Sequence, residues 1–224
     1  MPLAVSSEDL TVIPLVKRAA LSAPRRYFAL AAVTALYFFL MAGSFNALGG
    51  VLPAMVSDLH LNWSEAGFGF TLLGLACGLI SPLPAITIRH FGIVATLISA
   101  GCLLASGFAF LAMAVSKFEY DLGTLLIGCA FTLGGTVPGT YVVANLFEQS
   151  SRPMGLYFGI GGLGSIAGPL LYIGINSTLH GWRPFWWFCA LATSLCSIIA
   201  ALIVHGIPFD IAHDNTIRKR GWPA

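Results

Sequence analysis

Apolar residues run along the chain in stretches far longer than a soluble core uses, parted by short polar interruptions, and the lengths of those stretches predict membrane-crossing helices. The clearest lies between Arg152 and Arg183, where thirty consecutive residues contain no Asp, Glu, Lys or Arg. About 20 such residues suffice to cross the ~30 Å hydrocarbon core of a bilayer. The same reading predicts six spans: about Tyr27 to Pro53, Glu65 to Ile88, Gly92 to Val115, Leu122 to Phe147, Met154 to Thr178 and Pro184 to Val204. Between them lie a loop with Asp58, His60, Asn62 and Trp63, then Ser64-Glu65 as a helix start. A two-residue turn at Arg89-His90 follows, then a loop with Lys117, Glu119 and Asp121, a polar loop from Glu148 to Pro153, and a tight turn from His180 to Arg183. The chain is therefore expected to divide into an N-terminal tail (1–26), for which no cleaved signal peptide is expected, a six-helix transmembrane domain (27–206) and a C-terminal tail (207–224).

Composition supports this division. A mean hydropathy of +0.86, with 57% hydrophobic and 9% charged residues, excludes an ordinary soluble domain, in which about 25% of residues are charged. A net charge of +2 is too small to suggest nucleic-acid binding, and the basic residues sit beside apolar runs, where they set orientation. With six spans, one side of the membrane holds nine of the eleven Lys and Arg: those of the two tails, Arg89 and Arg152. Lys117 and Arg183 fall on the other. Positive loops stay in the cytoplasm, so both termini are expected there, in a multi-pass protein of the plasma (inner) membrane. The cysteines at 77, 102, 129, 189 and 196 lack metal-ligand spacing and read as buried free thiols. The histidines stand at span ends or in the tails, and Trp63 and Trp182 at the outer boundary, where all are expected to act as interfacial anchors.

Glycine gives the spans a second pattern. In lipid, small residues let a neighbouring helix approach closely, so Gly164 and Gly168, one turn apart, mark a packing face, with Gly155 on the same span. Pro169 removes an amide donor beside them and allows a bend. Gly74 and Gly78 repeat the spacing ninety residues earlier, again ahead of a proline, Pro82. Three spans used twice, the second time from the opposite side, make an inverted 3+3 repeat of the kind found in secondary transporters.

Taken together, Gly134, Gly135, Pro138, Phe147, Arg152, Gly164, Gly168-Pro169 and Gly181-Trp182-Arg183, with Asn62-Trp63-Ser64-Glu65 ahead of the second span, carry a family likeness. Over residues 27–206 the chain resembles the amino-terminal six-helix half of a major facilitator superfamily transporter, and most closely its monocarboxylate and oxalate/formate branch. Gly155, Gly164 and Gly168-Pro169 fit the start of the family's glycine-proline motif of helix five; Tyr172 and Ile173 replace its closing glycines. The loop between helices two and three, usually Asp-Arg-x-Gly, reads Arg89-His90-Phe91-Gly92, so the gate loop keeps its glycine and loses its acid. Where relatives carry Arg-Trp-Phe at the end of helix four, this chain has Asn145-Leu146-Phe147.

The resemblance implies a small-molecule substrate held between two six-helix halves that rock in the bilayer, the second being another chain or a second copy. It also implies that helices one and four line the cavity. On those spans Tyr37 and Ser44 share a face, with Asn46 pointing elsewhere, while Thr132, Thr136 and Thr140 recur every four residues beside Tyr141. These six are the substrate-binding candidates; the same side chains can instead bond a carbonyl one turn back or tie helices together. No ionisable residue stands deep in a span, and no catalytic set, metal cluster or cofactor motif is found, so no enzyme and no cofactor is expected. The expected function is a secondary transporter, or half of one, moving a small organic solute such as a monocarboxylate by alternating access. The alternative is a non-transporting half or membrane scaffold.

Overall fold

The computed structural model describes residues 23–207. The two tails, with their basic clusters, lie outside the described residues. Among the described residues there are eight helices and no strand: α1 Ala23–Gly43, α2 Phe45–Asp58, α3 Trp63–Leu79, α4 Leu83–Met113, α5 Lys117–Gly134, α6 Thr136–Leu146, α7 Ser151–Leu179 and α8 Arg183–His205.

Five stretches are long and apolar enough to cross a membrane: Pro24–Asp58, Leu83–Met113, Lys117–Leu146, Ser151–Leu179 and Arg183–His205. The first joins α1 to α2 across a bend at Ser44, and the third joins α5 to α6 across a bend at Gly135. The 17-residue α3 continues through a turn at residues 80–82 into the first part of α4.

Local sequence explains most of the boundaries and corrects three of those expected. Asn62, rather than Ser64, caps α3: its side chain accepts from the Glu65 amide at 2.8 Å while Glu65 Oε2 accepts from the Asn62 amide at 3.0 Å. Ser116 and Glu119 form the same reciprocal cap on α5, so Lys117, Glu119 and Asp121 belong to a first helical turn instead of a loop. Arg89 and His90 are helical as well. The break comes at Gly92, whose φ of 84° suits a residue without a Cβ.

The helices form one bundle. α4 packs along both α5 and α8, α1 lies against α7 and α8, α2 against α7, and α3 against α5. Leu40, Leu104, Phe108, Tyr120, Phe185 and Trp186 fill the interior, whereas Leu79, Ile98, Leu191, Leu195 and Leu202 face outward, as helices solvated by lipid require. The cysteines depart from expectation: Cys189 is buried, Cys77, Cys129 and Cys196 are half-buried, and Cys102 is exposed. At one end of the bundle the Arg25 guanidinium lies directly over Gly206, and the rings of Tyr27 and Phe147 are 5.6 Å apart.

Candidate functional site

The two rods expected to carry the site, α1–α2 and α5–α6, break in the same way. Ser44 has φ −89° and ψ −128°; Gly135 has φ −91° and ψ −121°. In neither case does a side chain cap the helix that follows. Helical hydrogen bonding resumes at once, from the Leu48 amide to the Ser44 carbonyl at 3.0 Å and from the Gly139 amide to the Gly135 carbonyl at 3.2 Å.

Two of the six binding candidates, Tyr37 and Thr132, hold helices together, and a third, Ser44, is buried and bonded within its own rod. Tyr37 is 5% exposed and stacks on Tyr157 with ring centroids 4.8 Å apart, in a slot that exists because Gly161 has no side chain. Tyr157 in turn donates to the Gly135 carbonyl at 3.0 Å, tying α7 to the bend. Ser44 is buried, and its hydroxyl donates back to the Met41 carbonyl at 3.4 Å. Thr132 donates to the Cys77 carbonyl at 3.1 Å, joining α5 to α3.

The other three are reachable. Thr136 is exposed at the start of α6. Thr140 is half-buried and shares its hydroxyl proton between the Thr136 and Val137 carbonyls, at 2.8 and 3.0 Å. Tyr141 is half-buried against the core. Sequence reasoning passed over Asn46, which is exposed in the first turn of α2 and heads a stripe with Gly49, Gly50 and Pro53. The helical spacing of these small and polar residues was the available signal.

The glycines separate into two groups. Gly164 and Gly168 face the Phe38 and Ala42 carbonyls of α1 so closely that a Cβ at either would collide with backbone. Gly74, Gly78 and Gly155 are exposed, with nothing within 4 Å of a Cβ, so they do not form the helix contact expected of them within the described residues. On α3 the inward face is Ala66, Gly69, Leu73 and Ala76, and the close approach comes from the partner helix, where Gly128 meets the Leu73 carbonyl. Pro169 lies within a continuous α7, its Cβ 3.8 Å from where a Cβ on Gly50 would stand. Arg89 and His90 are exposed on α4, ahead of the open Gly92.

At the other end of the bundle Asp58 Oδ2 accepts from Arg183 Nη1 at 2.6 Å and from Trp182 Nε1 at 3.2 Å. Arg183 also donates to the Ala114 carbonyl at 3.0 Å and stacks over the Trp182 ring, 4.2 Å from its centroid. Among the described residues no group of three or more His, Cys, Asp or Glu is placed to hold a metal.

Residues 34–222 match the family model of the Major Facilitator Superfamily. The chain belongs to this superfamily. Comparison with curated proteins gives no match. As a major facilitator protein with several apolar helices of spanning length, it is a multi-pass integral membrane protein of a transporter family, working in a lipid bilayer.

Proposed function

We propose that the chain forms one six-span lobe of an alternating-access secondary transporter for small organic solutes, monocarboxylates being the class its sequence resembles. In this reading α3 and the start of α4, residues 63–91, supply the sixth crossing, and both termini are cytoplasmic. The observation that carries it is the pair of equivalent bends at Ser44 and Gly135, ninety-one positions apart with nearly equal dihedrals. Exchanging the first three spans for the last three also exchanges the packing of α1–α2 on α7 for that of α5 on α3, and leaves α4 against α8. This is what an inverted repeat requires. The contact of Arg25 with Gly206 puts the first and last helix ends together, which favours an even number of crossings. A second six-helix unit, as another chain or a second copy, would supply the opposite wall of the cavity.

A non-transporting scaffold is the second reading, and the use of Tyr37, Ser44 and Thr132 in packing favours it. Purified protein in liposomes, alone and with a candidate partner, decides between them. Uptake of labelled monocarboxylate supports transport; a stable partner without uptake in either case supports the scaffold.

A further inference from the structure

Asn46 sits where an amide is costly to leave alone. It stands twelve residues before Asp58 at the helix end, or about 18 Å along a helix rising ~1.5 Å per residue, which is deep within the hydrocarbon layer. It is exposed and has no hydrogen-bond partner among the described residues. An amide carries two donors and an acceptor, and turning them unpaired toward lipid costs several kcal/mol on the order-of-magnitude scale of polar burial. The surface beside it is not that of a lipid-facing helix. Its stripe continues through Gly49, Gly50 and Pro53, and the two glycines leave backbone accessible between Phe70 of α3 and Pro169 of α7, each 3.8 Å from a Cβ position. The lipid-facing α8 instead presents Leu191, Leu195 and Leu202.

We infer that Asn46 hydrogen-bonds the transported solute, a small molecule offering a donor beside an acceptor, in a water-filled cleft floored by Gly49 and Gly50. This rests on the transporter reading above. Residues 27–57 and 122–147 contain no ionisable side chain other than tyrosine and cysteine, so recognition from these rods is by neutral hydrogen bonds, and one amide can give Nδ2–H to a carboxylate while accepting at Oδ1 from a neighbouring hydroxyl.

The test uses the full chain in liposomes, with its five native cysteines replaced and either Gly49→Cys or the control Leu195→Cys introduced. A membrane-impermeant, water-soluble maleimide is expected to modify the Gly49→Cys variant faster than the Leu195→Cys control. L-lactate should slow modification of the Gly49→Cys variant, acetate should slow it less for want of the hydroxyl donor, and adding Asn46→Ala should abolish the protection. A Gly49→Cys variant that reacts no faster than the control, or protection unaffected by Asn46→Ala, overturns the inference. On the native background, Asn46→Ala should raise the KM for labelled lactate about a hundredfold, the loss of two hydrogen bonds at roughly tenfold each; an unchanged KM also overturns it. Absence of uptake by the unsubstituted protein, with the thiol of the Gly49→Cys variant still protected, brings down the transport reading and leaves the solute contact standing.

Discussion

Arg183, the first residue of α8, holds Asp58, the last residue of α2, at 2.6 Å, and reaches the Ala114 carbonyl beyond α4 with its other amino group at 3.0 Å. One side chain thus gathers the ends of three rods at one face of the bundle. Its partners differ in what they lose on mutation. Both charged side chains are nearly half exposed, 43% and 48%, so the ion pair alone contributes at most about 1 kcal/mol. Arg183→Ala removes the carbonyl bond and the stacking on Trp182 as well. It should lower the melting temperature in detergent more than Asp58→Asn, which keeps an acceptor for both donors. Equal losses would mean that the Ala114 bond contributes nothing.

Gly168→Leu should separate α1 from α7. Its side chain would enter the Ala42 carbonyl, and overpacking of this kind costs about 1–3 kcal/mol. Gly74→Ala and Gly78→Ala meet nothing within 4 Å and should leave the melting temperature unchanged or slightly raised. The contrast between the two helices is the measurement; similar effects at all three positions would place the contacts wrongly.

Gly92 has open space around it, so substitution there probes the backbone alone. Gly92→Ala forces a Cβ into φ 84° and ψ 168°, a region essentially reserved for glycine, at a cost of about 1–3 kcal/mol. Lower thermal stability with unchanged helix content by circular dichroism is expected, and a fully stable variant would show that the break after Phe91 relaxes into a continuous helix.

Tyr157→Phe keeps the ring against Tyr37 and removes only the hydroxyl that bonds the Gly135 carbonyl at 3.0 Å. The loss should be about 1 kcal/mol. Tyr157→Ala should cost considerably more, because the stacked pair and the contact over Gly139 go with it. Comparable melting temperatures for the two variants would count against the stack.

Five of the six expected spans were legible because hydrocarbon thickness fixes the length of an apolar run, as between Arg152 and Arg183; the stretch from Glu65 to Ile88 is divided between the 17-residue α3 and the start of α4. Which side chains face one another was less so. The spacing of Gly74 and Gly78 equals that of Gly164 and Gly168, yet only the second pair meets a neighbouring backbone, since spacing says that two residues share a face and nothing about what lies opposite. Tyr37 and Ser44, expected to share a cavity face, are both buried. The bend at Ser44 replaces a straight helix in which Asn46 could be dismissed as pointing away. Arg89 and His90 read as a loop because they are polar, although one helix carries both and the backbone breaks only where Gly92 permits it.

The central claim, a lobe of six crossings with both ends on one face, is tested most directly by sidedness labelling. The single substitutions Arg25→Cys, His205→Cys, Asn62→Cys and Lys117→Cys, all at positions outside the buried core, are placed in a background lacking native thiols and exposed to an impermeant maleimide in sealed vesicles of known orientation. The Arg25→Cys and His205→Cys variants should label from the cytoplasmic face, and the Asn62→Cys and Lys117→Cys variants from the opposite one. Labelling of the Arg25→Cys and His205→Cys variants from opposite faces would contradict the account.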